Sequence, residues 1–288
     1  MENISRLASF RRYPWVIKIY PYLYDHSLDG KAVFPAAEAL ITLARAVKTY
    51  FPQADIVRMT EAAFPRFLPI PVRAEALEAF VDLAAGNAGE IEAALLTKTG
   101  LPEGNIVRTV VHARVKFSRN NGRQLPECSL FHADKPEGEC IDVPAAAVYR
   151  ELVPFGAAFR NISGVLSVSR AGALARLSGG AAEADEELLG SPFPFDAVMH
   201  AACVWAQRFT GIVPFPVGFA QRIVYKRTKK QMVYLGRIAP VAAHGTLNFS
   251  AVISDSQGGI CEAIQGIQMQ DVSRGRKKPP DWIRERNL

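Results

Sequence analysis

Two stretches of this 288-residue chain alternate apolar and polar residues at period two. In one, Val111, Ala113, Val115 and Phe117 alternate with His112, Arg114 and Lys116, which predicts a half-buried strand over Ile106 to Phe117. In the other, Leu247, Phe249, Ala251 and Ile253 alternate with Asn248, Ser250 and Ser254, and Asp255-Ser-Gln-Gly-Gly259 then turns the chain into a second strand, Ile260 to Val272. Two further stretches are apolar on nearly every side of a helix. One opens at Pro35, where a missing N–H costs nothing, and runs to about Tyr50; the other runs from about Phe195 to Thr210 and stops at Gly211 and Pro214. A helix apolar all round must be buried, and a curved sheet wrapped around it is the simplest cover.

The same order of elements occurs twice. An extended segment from Tyr13 to Tyr24, a loop at His26, a helix and then strands make the first half. Extended segments from about Asn161 to Leu177, the run Ser191-Pro-Phe-Pro194, a helix and again strands make the second. Between them, Leu125 to Pro144 is rich in proline and charge and reads as a connector. The expected division is a first lobe over 1–130, a linker over 131–145, a second lobe over 146–273 and a basic tail over 274–288.

Composition narrows the function classes. The chain is 49% hydrophobic, enough for one large core or two smaller ones, and no stretch reaches the roughly 18 apolar residues of a membrane span. The apolar run after Arg11 and Arg12 is broken by Lys18 and Pro21 and lacks a signal-peptide cleavage site. Cys128, Cys140, Cys203 and Cys261 show no C-x-x-C spacing, which suits a reduced, cytoplasmic setting. No H-E-x-x-H, Gly-rich phosphate loop or nucleophile-elbow serine is present, so neither a metal nor another cofactor is expected. His112 is expected to face solvent, and His132 and His244 fall in polar loops.

The net charge of +6 is uneven: Arg274, Arg276, Lys277, Lys278, Arg284 and Arg286 stand against only Asp281 and Glu285. The tail reads first as a solvated, mobile terminus, with docking to an acidic partner as the alternative. Nucleic acid is excluded as a partner, because Trp282 is the tail's only aromatic residue and no basic-aromatic stripe runs through the body.

Candidate chemistry lies in two signatures, His26-Ser-Leu-Asp-Gly30-Lys-Ala-Val-Phe-Pro35 and Phe195-Asp196-Ala-Val-Met-His200. A histidine titrates near neutrality, which makes His26 a candidate base. Asp196 is flanked by Phe193, Phe195, Val198 and Met199, surroundings expected to raise its pKa toward the range of a proton donor. His200, one helical turn on, shares its face and is expected to be neutral and to orient it. The bland readings are a histidine in a turn and an aspartate capping a helix.

These residues resemble the dehydratase domains of polyketide synthases, through His-x3-Gly-x4-Pro in the first half and Asp-x3-His in the second. Tyr149 to Phe159, Val213 to Val224 and Asp255 to Val272 are similar to further elements of that family, so the resemblance spans about residues 13–272. It implies an α+β double hotdog: two curved antiparallel sheets, each wrapping a central buried helix. It also implies a strand over Arg73 to Ala85, although that segment is rich in helix formers. The implied reaction is dehydration of a 3-hydroxyacyl thioester on an acyl carrier protein. His26 would be the base, Asp196 the acid and His200 its orienter. Gly30 and the amides after Pro35 would stabilise charge on the thioester carbonyl, Phe34, Phe155 and Phe159 would line the acyl tunnel, and Pro35 and Gly156 complete the expected substrate-binding residues. Phe155 and Ala157 stand where the family usually has tyrosine and proline. The family often forms dimers, and a free-standing member would meet its carrier in trans. A non-catalytic acyl-binding protein, an isomerase or cyclase, and a hotdog thioesterase are the rival readings.

Overall fold

The structure, a computed structural model, describes residues 10–86, 89–100, 107–118, 135–184, 188–241 and 247–284. In the first lobe β1 (Arg11–Lys18) is followed by a hairpin of β2 (Ser27–Leu28) and β3 (Lys31–Ala32), then by α1 (Ala36–Tyr50). Strands β4 (Arg58–Ala63), β5 (Ala76–Ala85), β6 (Ile91–Gly100) and β7 (Val107–Phe117) complete it. The second lobe has β8 (Ile141–Pro144), a short α2 (Ala145–Ala147), β9 (Ile162–Ser169), β10 (Gly172–Ser178) and α3 (Pro192–Thr210). It closes with β11 (Phe215–Val224), β12 (Val233–Val241), β13 (Leu247–Asp255) and β14 (Ile260–Gln270).

Each lobe sheet covers one long helix. α1 packs on β5, β6 and β7, whereas α3 packs on strands β9 to β13, and the two helices touch each other. Leu40, Leu43, Ala44 and Val47 of α1 and Ala197, Val198, Ala202 and Val204 of α3 are completely buried, as helices without a polar face require. This is the double hotdog. The two sheets are not separate, however: β4 pairs antiparallel with β11, and the strands form one sheet in the order β1-β5-β6-β7-β4-β11-β14-β13-β12-β10-β9-β8.

Several sequence expectations need correction. β8 pairs with β9, so residues 141–144, assigned to the linker, are the edge strand of the second lobe. Cys128, His132, His244 and residues 119–134 of the connector lie outside the described residues. α3 begins at Pro192, three residues earlier than expected, because prolines are tolerated in a first turn whose N–H groups have no helical partner. Ser191 caps it, accepting from Phe193 N at 3.4 Å while donating to the Gly179 carbonyl at 2.7 Å. Asp196 therefore sits in the second turn and is no cap. The strand expected over Arg73 to Ala85 is present as Ala76–Ala85 despite its helix-forming composition, since pairing with β1 and β6 overrides a weak local preference.

His112 is buried, not solvent-facing. Leu95 pairs with Ala113 but Leu96 with Val111, which leaves His112 as the extra residue of a bulge that turns it inward. The tail is not a free terminus either. Ile283 is completely buried, the Arg208 guanidinium donates to its carbonyl at 3.2 Å, and Trp282 Nε1 donates to Glu151.

At the seam between lobes Arg222 of β11 stands opposite Met59 of β4 and is almost completely buried. Its Nη2 and Nε reach Glu262 Oε2 at 2.7 and 2.9 Å, and its guanidinium lies 3.9 Å from the centre of the Phe195 ring. Burial pushes the Glu262 carboxyl upward against the pull of Arg222. Breaking such a pair strands a charge, whereas replacing both partners with apolar residues does not. Arg222→Met or Glu262→Leu alone is expected to cost about 3–5 kcal/mol in denaturant unfolding, with most of that recovered in the double variant.

Candidate active site

The loop that carries His26 is shaped by a tight hairpin. Asp29 and Gly30, at φ 52° and 73°, are the two central residues of the β2–β3 turn, the left-handed pair that a type I′ hairpin requires. Val33 N donates back to the His26 carbonyl at 2.9 Å, and His26 Nδ1 lies 2.8 Å from the Val33 carbonyl. A carbonyl only accepts, so Nδ1 carries the proton and Nε2 keeps its lone pair.

The second lobe grips this loop through Asp25. Gly156 N donates to the Asp25 carbonyl at 2.7 Å, and Ala158 N donates to its carboxylate at 2.8 Å. The approach is close enough that a Cβ at position 156 would fall 2.4 Å from the Asp25 carboxyl group, which is why glycine stands there. The clamp lays the His26 ring against two aromatic rings of the second lobe, stacked on Phe155 at 4.4 Å and edge-on to Phe159 at 5.0 Å between centres.

Asp196 and His200 come from α3, with 7% and 4% of their surfaces exposed. His200 Nε2 lies 2.9 Å from Asp196 Oδ2, but off the line that a hydrogen bond needs, so the contact is an electrostatic one and neither atom has a well-aligned partner. On the other side of the imidazole, the Tyr149 hydroxyl accepts from Ile162 N at 2.8 Å and stands 3.3 Å from His200 Nδ1, in position to donate to it.

All three groups open onto one cavity of about 350 Å³, walled chiefly by apolar side chains including Phe34, Phe64, Phe67, Phe155, Phe195 and Phe215. Gly30 also lines it, as do Ala36 and Ala37 at the start of α1, where the first N–H groups lack helical partners and no side chain caps them. Pro35, Gly156 and Phe159, expected among the substrate-binding residues, are not among its walls. Pro35 begins α1 by accepting from Ala39 N, Gly156 belongs to the clamp, and Phe159 is fully buried behind His26 against Tyr22 and Phe193.

Burial shapes the electrostatics. His26 keeps part of its surface on the cavity yet is shielded from bulk water; this desolvation outweighs the attraction of Asp196 and holds its pKa below the ordinary 6.5. For Asp196 the expectation of a raised pKa is overturned. Desolvation does push it up and is the largest single influence, but His200 alongside and His26 across the cavity together outweigh it and leave the carboxyl below its usual value. Apolar neighbours alone were visible in the sequence; the combined pull of two imidazoles needs the fold.

Sequence reasoning missed Asp25, Val33 and Tyr149 as groups that orient the candidate residues. Adjacency to His26 was the only available signal for Asp25. His112 was missed as a cavity wall: it accepts from the Thr97 hydroxyl at 2.8 Å and donates from Nδ1 to the Phe67 carbonyl at 3.1 Å, anchoring the segment that carries Phe64 and Phe67. Among the described residues no cluster of metal-binding side chains occurs, and no helix is long and apolar enough to cross a membrane.

Residues 141–279 match the family model of the polyketide synthase dehydratase N-terminal domain. Over these residues the chain is similar to the polyketide synthase dehydratase family. The matched residues are the second lobe and the start of the tail, and the solved structures extend the likeness to both lobes. The dehydratase domain from the CurJ module of curacin polyketide synthase is 17% identical at a TM-score of 0.71, covering 93% of this chain and 94% of that one. The dehydratase domain of PpsC from Mycobacterium tuberculosis is 20% identical at 0.67, covering 90% and 92%. A second structure of that domain, in complex with C12:1-CoA, is 21% identical at 0.65, covering 90% and 93%. These likenesses establish the fold. No curated protein matches the chain.

Two measurements check the geometry. The His26 ring should titrate by NMR with a midpoint below 6.5, staying neutral as pH falls through the ordinary histidine range. Asp25→Ala should lower unfolding stability by about 1–3 kcal/mol by orphaning the Ala158 N–H, with Asp25→Asn, which keeps an acceptor, costing less.

Proposed function

We propose that the chain removes water from a 3-hydroxyacyl group held as a thioester on the phosphopantetheine arm of an acyl carrier protein, in a cytoplasmic setting. The observation that carries this reading is one imidazole and one carboxyl, from different lobes, opening onto a single apolar cavity. Dehydration needs a base at C2 and an acid at C3. His26 Nε2 takes the C2 proton, and the bonding pair becomes the C2=C3 double bond as the C3–O bond breaks. The departing hydroxyl takes a proton from the Asp196–His200 pair and leaves as water.

The lowered pKa of Asp196 sets a demand on this step, since the carboxyl must carry a proton when substrate is bound, and an apolar acyl chain that displaces water from the cavity pushes it in that direction. Tyr149 holds His200 from behind, so the pair keeps its orientation through the cycle. Charge developing on the thioester carbonyl is met by the free N–H groups at the start of α1, at Ala36 and Ala37. The apolar walls exclude water, strengthen these interactions and accept the acyl chain. The PpsC domain solved with C12:1-CoA shows a relative of this fold holding an acyl thioester, which supports the substrate class.

The test is purified protein with a 3-hydroxyacyl phosphopantetheine thioester, followed by mass measurement. The expected product is lighter by one water, and His26→Ala and Asp196→Asn should each lower the rate by roughly 10²- to 10⁴-fold. Because the pKa of His26 is lowered, activity should persist below pH 6.5 and fall only as the base is finally protonated. An unchanged mass with a shifted double bond would instead favour an isomerase, release of free thiol a thioesterase, and unaltered substrate a binding protein.

A further inference from the structure

The tail brings one charged side chain to the cavity. Asp271 accepts from Ser273 N, Ser273 Oγ and Gly275 N at 2.6–2.8 Å, and Arg276 Nε and Lys277 N donate back to Ser273 at 3.0 Å. With Ile283 buried, the segment is braced at both ends without using the Lys277 side chain. That side chain lines the cavity and forms an ion pair with Asp29, at the tip of the hairpin that carries His26. The pair therefore joins the last folded segment of the chain to one of its first loops across an otherwise mainly apolar cavity.

The pair is poorly shielded. Asp29 is 69% exposed and Lys277 32% exposed, so water competes for both and the contact is exchangeable. Arg66, also exposed, stands on the same cavity wall. An incoming thioester that places its acyl chain among the phenylalanines must leave its polar end outside, near this charged edge. For a pantetheine arm that end is a phosphate ester.

We infer that Lys277 is the phosphate-binding residue of the site, and that Asp29 holds it in a latch which the phosphate of the pantetheine arm opens by taking the place of the Asp29 carboxylate. This rests on the thioester reading of the cavity. The phosphodiester of a carrier-bound arm carries one negative charge, as the Asp29 carboxylate does, and the free phosphopantetheine monoester carries more; either gives the Lys277 ammonium an anionic acceptor that replaces the one it leaves. Asp29 then acts as a competitor that discriminates against arms lacking the phosphate.

The experiment compares two probes that differ only in the phosphate: a 3-hydroxyacyl thioester of 4′-phosphopantetheine and the same thioester of pantetheine. Their dissociation constants are measured by calorimetry on the full chain. The wild type should prefer the phosphorylated probe, and Lys277→Ala should reduce that preference about tenfold, the effect of one charge-assisted hydrogen bond. Asp29→Asn should increase it, and salt should reduce it in the wild type more than in Lys277→Ala. A preference unchanged in Lys277→Ala, or reduced in Asp29→Asn, overturns the latch. Turnover is read in the same mixtures: its absence counts against dehydration, while the affinities decide the latch.

Discussion

The structure depends on the grip of the second lobe on Asp25. An imidazole on one lobe and a carboxyl on the other can act together only if their separation is held, and long loops do not hold separations. Here two backbone N–H groups of the 156–158 turn bind the residue immediately before His26, and the absence of a Cβ at Gly156 lets the two segments meet. The stack of His26 on Phe155 follows from that contact, as does the shared cavity. The β4–β11 pairing and the contact between α1 and α3 fasten the lobes as well, so hinge motion about any one of these places is opposed.

Burial then supplies the chemistry. The same desolvation that lowers the His26 pKa would raise that of Asp196, and it fails to do so only because two imidazoles stand near the carboxyl. Opposite charges and low polarity are thus set against each other within one cavity. The imidazole is kept neutral across the cavity from a carboxyl whose charge depends on its histidine neighbours, and the proposed proton transfers rest on that balance.

Much of the fold was legible in the sequence because its signals are periodic. Val111 to Phe117 and Leu247 to Ile253 announce strands, and the apolar girth of residues 36–50 and 195–210 announces helices that need a wrapping sheet. What was not legible depended on a single offset or on distance. One inserted residue at the β7 bulge turned His112 from the outer face to the cavity. Two prolines that look like breakers proved to be the first turn of α3. The basic tail reads as solvated because Ile283, the residue that docks it, is one apolar position among many charges. Of the candidate site, the three titrating groups were legible from residue type and spacing. Asp25, Tyr149 and Lys277 were not, since each acts on a partner far away in sequence.

The seam between β4 and β11 also orders the birth of the molecule. β4 is made early, but its neighbour β11 follows the whole of α3, so during synthesis the front lobe emerges from the ribosome with one rim unsatisfied. That rim bears free backbone donors and acceptors able to recruit a stray strand, a hazard for a nascent chain. Pocket assembly is thereby deferred until the closing strands arrive, and a truncated translation product would carry a histidine with no carboxyl to face.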